Sequence, residues 1–153
     1  MKKIIYPVIF LVFFTCYTTP VYTSGSIQKN NNVEFKTIKK GQYCGIEKAG
    51  NLVITSNEEW KKTWEGLFME VEPEVPELPN VDFNKNQVIA VFMGQKGSGG
   101  YSVEITGVYE YEDKVIVNVL RKTPSADAMV SQAMTQPFHI ILIPMINKQI
   151  IFK

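Results

Sequence analysis

Histidine, cysteine and net charge are all scarce in this chain. It has one histidine, two cysteines, and sixteen basic residues against fifteen acidic ones, for a formal charge of +1. A zinc centre draws on several cysteine or histidine ligands, so no metal site is expected. Near-neutral charge without a basic stripe leaves no footprint of a nucleic-acid partner. Long hydrophobic runs are missing too: the apolar stretch Ile4–Phe14 falls short of the roughly 20 residues that span a bilayer.

That stretch is informative for another reason. Lys2 and Lys3 precede it and the small, polar TCYTTPVYTSGS follows, which is the order of a secretory signal peptide. The reading is an exported protein with a signal at residues 1–25, cut near Thr23 or Gly25, and a flexible leader at 26–32. A single domain then fills 33–153. Cys16 is the alternative processing point, as a lipidated cysteine, and membrane contact is expected only through this segment or such an anchor. In either case Cys44 is the only thiol of the mature domain, which excludes an internal disulfide framework.

Within the domain, Val33–Lys40 alternates as a strand, and Tyr43–Glu47 and Leu52–Thr55 flank Ala49-Gly50-Asn51 in the manner of a hairpin. Ser56 and Glu59 form a capping box, and Trp60, Trp64, Leu67 and Phe68 recur on one helical face, read as core. MEVEPEVPELPN follows, too rich in proline for helix or central strand. Its glutamates 70, 72, 74 and 77 lack the partners of a calcium loop, so it reads as a solvated acidic loop. Val88–Met93, Tyr101–Tyr111, Val115–Leu120, Phe138–Ile143 and Gln149–Phe152 read as strands, with Glu112-Asp113 turning the second into the third. The expected fold is α+β: a mostly antiparallel sheet, or a small barrel or sandwich, with one amphipathic helix.

The stretch GQKGSGGYSVEI, Gly94 to Ile105, holds four glycines in seven residues. A phosphate loop needs a lysine after its last glycine and a helix behind it; here Lys96 comes early and a strand follows. The dinucleotide fingerprint fails at Ser102. No cofactor is expected. The glycines supply a tight connection between two antiparallel strands, and their surplus leaves open either an exposed contact backbone or simple tolerance. Antiparallel connectivity brings this loop to the same end of the sheet as RKTPSADAMVSQAMTQP. Met129, Val130, Ala133 and Met134 in that segment either cover the core edge or form an exposed contact patch.

Val81-Asp82-Phe83, Gly99-Gly100-Tyr101-Ser102-Val103-Glu104-Ile105 and Thr135-Gln136-Pro137-Phe138-His139 together resemble the C-terminal domain of the PrcB family of protease-complex subunits, and NLVITSNEEWKKTW resembles the strand and tryptophan helix that precede it. The resemblance implies a non-catalytic protein partner of a secreted or envelope protease. Gly97, Ser98, Gly99, Gly100, Tyr101, Met129, Met134, Gln136, Pro137 and Phe138 are its candidate contact residues. Gly97-Ser98 stands where many members have Pro-Thr. A weaker similarity is to chagasin-type cysteine-protease inhibitors, through Gly100-Tyr101 and Gln136-Pro137-Phe138, with glutamine in place of their arginine.

Two other classes compete. Tyr43, Tyr101, Tyr109 and Tyr111 would be the stacking surface of an envelope glycan or lipid binder. Cys44 with His139 as base is the one nucleophilic pair available to a hydrolase, although no oxyanion nest accompanies it. The expectation is a binding protein rather than an enzyme.

Overall fold

The computed structural model describes residues 31–69 and 75–153. The signal segment, Cys16, the leader before Asn31 and glutamates 70, 72 and 74 lie outside the described residues. Eight strands and one helix follow in the order β1 (Asn31–Asn32), β2 (Lys36–Gly41), β3 (Gly50–Ile54), α1 (Asn57–Phe68), β4 (Asn86–Phe92), β5 (Ser102–Glu110), β6 (Lys114–Lys122), β7 (Phe138–Pro144) and β8 (Gln149–Phe152). They form two four-stranded sheets, β1-β5-β6-β8 and β2-β7-β4-β3, stacked as a sandwich with α1 on the outer face of the second. Neither sheet closes into a barrel.

The second sheet explains why β4 and β7 are apolar almost without interruption: both of their faces are covered. Val88, Ala90, Phe92, Phe138 and Ile140 point to the helix side and meet Trp60, Trp64, Leu67 and Phe68. Ile89, Val91, Met93, Ile141 and Ile143 point the other way and meet Val103, Ile105, Val108, Val115 and Val117 of the first sheet. The period of two in a strand sorts one run into two cores.

The helix forms as its spacing predicts. Ser56 Oγ accepts from the Glu59 amide at 3.3 Å, while Glu59 Oε2 accepts from the Thr55 amide at 3.4 Å, one residue earlier than in the standard box. Trp60, Trp64 and Phe68 stack along the buried face, with ring centroids 5.2 and 4.9 Å apart. Residues 75–80, the described part of the proline-rich segment, lie over this aromatic row. Pro79 O accepts from Trp60 Nε1 at 2.9 Å and Pro76 O from Trp64 Nε1 at 2.8 Å. Glu77 is solvated as expected, but the backbone beside it is a cover for the core.

Four expectations need correction. Tyr43–Glu47 is not a strand and makes no hairpin with β3. The Gly45 amide donates to Leu67 O at 2.8 Å, and a Cβ there would lie 2.6 Å from Gly66 O, so this segment is held against the end of α1 instead. β3 pairs with β4, Gly50 opposite Phe92 through Ile54 opposite Val88. Val33–Lys40 is not one strand: Val33 donates to Val108 O in the first sheet, and the chain then crosses to pair β2 with β7. β4 and β5 are not neighbours either, so the glycine loop is a passage between sheets rather than a hairpin. Finally, the antiparallel pairing expected of the strands does not extend to the last one, since β8 pairs with β6 in parallel.

The outer strands of the second sheet differ. β2 carries Lys36, Lys39 and Lys40 and a register shift between Thr37 and Lys39. β3 is uncharged, in unbroken register with β4, and leaves Leu52 and Val53 exposed.

Candidate functional site

The glycine loop and the segment before β7 meet at one end of the sandwich. Lys96 and Thr135 exchange both backbone hydrogen bonds, at 2.8 and 3.0 Å, and the Gly99 amide donates to Ser131 O at 2.9 Å. Thr135 Oγ1 donates to Ser98 O at 2.9 Å, and the pairing continues inward through Met93 N to Pro137 O. Two irregular segments thereby satisfy each other's backbone groups, as a sheet would.

The glycines divide by role. Gly100 has φ +86°, and a Cβ there would meet Val130 Cγ1 at 2.8 Å and Pro124 Cβ at 2.9 Å, so both conformation and space require glycine. Gly97 has open space around it and no positive φ. Gly99 faces the Ser131 side chain. The four glycines therefore have three sources: a positive φ of +70° against the Ala49 backbone at 94, close approach of the neighbouring segment at 99 and 100, and an unconstrained exposed backbone at 97.

The second segment turns its apolar side chains outward. Met129 is fully exposed at 101% and Met134 is 61% exposed, with Gln95 Nε2 donating to Met134 Sδ at 3.4 Å. Of the two readings left open by the sequence, the exposed patch is the one found. Tyr43, 52% exposed, is tied to this end because Gln42 O accepts from the Gln136 amide at 2.8 Å. Sequence reasoning missed Tyr43 as a member of this edge, since only the long-range Gln42–Gln136 contact brings it there. Lys96 Nζ sits 5.7 Å from the centroid of the half-buried Tyr101 ring.

Gly97, Ser98, Gly99, Gly100, Tyr101, Met129 and Met134 are thus brought together, with Gln136 half-buried behind them. Pro137 and Phe138 do not join this exposed surface. Both are buried, and Phe138 at 1% exposure packs under Gly41, whose Cβ would sit 2.8 Å from its ring. They anchor the edge from below.

The two competing arrangements are not assembled. A bulge between Ile105 and Gly107 switches the phase of β5, so Tyr101 packs toward the inter-sheet core while Tyr109 and Tyr111 line an outer depression with Ile116, Asn118 and Lys153. Roughly 25 Å of strand separates Tyr101 from that pair, which is too far for one stacking surface. Cys44 and His139 lie on opposite faces of the second sheet. The Cys44 thiol is directed at Gln136 O at 3.4 Å and Ile46 O at 3.9 Å, and burial pushes it above its ordinary pKa, away from the thiolate a nucleophile needs. His139 bonds Thr37 and Ile105 instead.

These features define a helix-backed β-sandwich whose two cross-paired loops present one apolar, glycine-rich end. Residues 87–144, which run from β4 through both loops and the β5–β6 hairpin to the end of β7, match the family model described as PrcB C-terminal. The match is confined to this segment, which contains every residue of the loop pair and most of the motifs on which the sequence resembles that family. The family links it, in general terms, to a protease complex. No curated protein matches the chain. No solved structure matches it either.

Proposed function

We infer that this is an exported, non-catalytic accessory subunit of a secreted or envelope protease. It binds that protein through the glycine loop and the Met129–Met134 segment. The observation that carries the reading is the coincidence of the family match with the exposed apolar end: the matched segment holds both loops, and their shared hydrogen bonds fix Met129 and Met134 outward. Thioether side chains adapt to a partner's shape at low conformational cost, while glycine lets backbone approach backbone. Exposed methionines are also what a protein-contact patch leaves on a free subunit.

The test is crosslinking mass spectrometry in envelope extract of the native host, with a photoreactive group placed at Met129. A protease recovered in the crosslink supports the reading. Two double variants, Gly99→Ala with Gly100→Ala and Met129→Ser with Met134→Ser, should then lose that partner while remaining folded by circular dichroism. Both variants binding like the parent would remove the loops from the interface, and a crosslink to cell-wall glycan alone would overturn the protein-partner reading.

A further inference from the structure

The chain's one histidine is buried at 2% exposure between the two sheets. From β7 its ring crosses the sandwich: Nδ1 accepts the Ile105 amide of β5 at 2.9 Å, and Nε2 lies 2.9 Å from Thr37 Oγ1 of β2. A backbone N–H only donates, so Nδ1 must carry a free lone pair. The ring proton is then on Nε2 and the Thr37 hydroxyl accepts it. A doubly protonated ring cannot keep the Ile105 contact, and it would strand a buried amide beside the β5 bulge, where the ladder to β6 is already disrupted.

The charged groups that face the ring are Lys40 from β2 and Glu104 from β5, paired with each other at 2.8 Å, with Lys122 of β6 beyond Glu104. The residues of β4 and β7 packed around it are apolar. Burial and Lys40 both oppose a second ring proton, and Glu104 offsets only part of that, so His139 is held below the ordinary histidine range.

We propose that His139 is an acid-released clasp: its neutral ring locks β5 to β2 and β7, and protonation opens that seam and loosens the two loops that lead into β5 and β7. Ser102, at the start of β5, directly follows the glycine loop, and β7 directly follows Pro137, so the clasp lies one strand register behind the paired loops. The consequence for partner binding rests on the function proposed above; the clasp itself does not.

The sign follows from linkage. The unfolded imidazole takes its proton near the ordinary value and the folded one takes it at lower pH, so between those points the unfolded chain binds more protons. Stability is complete above the ordinary histidine range and falls as pH drops through it, by up to about tenfold in the folding constant per pH unit. Because the chain has a single histidine, no other imidazole contributes to the effect.

The experiment compares the parent with His139→Asn, whose amide oxygen takes the place of Nδ1 and does not titrate. Urea unfolding from pH 7.5 to 5 should show the parent's folding constant falling relative to the variant's, with carboxylate effects common to both cancelling. Proton NMR of the parent should show the imidazole titrating below the ordinary range, and exchange of the Ile105, Gly99 and Gly100 amides accelerating over the same interval. A constant ratio between the two proteins, or an ordinary titration with unchanged Ile105 exchange, overturns the clasp. If His139→Asn does not fold, the parent's NMR titration decides alone. Partner binding enters neither readout, so the clasp and the protease reading fail separately.

Discussion

Two irregular segments, one after the helix and one before β7, have similar turn-like composition and opposite uses. Residues 75–80 lay the carbonyls of Pro76 and Pro79 on two indole N–H groups and seal the aromatic row beneath. Residues 123–136 spend their backbone bonds on another loop and leave two methionines in solvent. The difference lies in which group needs a partner. A buried tryptophan must place its N–H, and a proline carbonyl, freed from any ladder, is available to take it. A methionine has no such requirement, so nothing draws it inward once the loop's own amides are satisfied. One segment therefore covers the core, and the other leaves its apolar side chains at the surface.

The comparison breaks first at the tryptophans. Trp60→Ala or Trp64→Ala should cost about 3–5 kcal/mol in urea unfolding, the range for a large buried aromatic. A loss under 1 kcal/mol would mean that the row is not core. Trp64→Phe sharpens the point by keeping an aromatic ring while leaving Pro76 O without its donor, for an expected loss of about 1–3 kcal/mol. Next comes Gly100→Ala, which forces a Cβ against Val130 and Pro124 at positive φ. It should cost about 1–2 kcal/mol, with chemical-shift changes confined to the paired loops. Smallest is Met129→Ser with Met134→Ser, which should alter stability by less than about 0.5 kcal/mol. A larger loss there would show that the methionines pack against the protein itself.

Much of this fold was legible because its determinants are local. The capping box, the four apolar positions of α1, the strands β4 to β8 and the Glu112-Asp113 turn each need only a few neighbouring residues. What failed were pairings decided at long range. Tyr43–Glu47 has the composition of a strand, but the end of α1 claims Gly45. Gly94 to Gly100 looks like hairpin chemistry, and only the assignment of β4 and β5 to different sheets makes it a crossover. The phase switch at Thr106, which separates Tyr101 from Tyr109 and Tyr111, leaves no mark that alternation alone reveals. The candidate edge was legible as two loops at one end. Its exposed methionines and the burial of Pro137 and Phe138 were not, because both depend on how Gly99 and Thr135 pair with the opposite loop.

The contrast between β2 and β3 bears on how partly folded chains behave when crowded. A new strand arriving at β2 meets three ammonium groups and a kinked backbone, whereas β3 offers a straight, uncharged edge. Intermediates that have formed the second sheet but not yet docked the first should therefore join through Gly50–Ile54. Turbidity during refolding at high concentration should drop when Leu52 is replaced by lysine, and should be little changed by removing a lysine from β2. The side of this molecule that is guarded against other chains is thus decided by three lysines on one outer strand and their absence on the other.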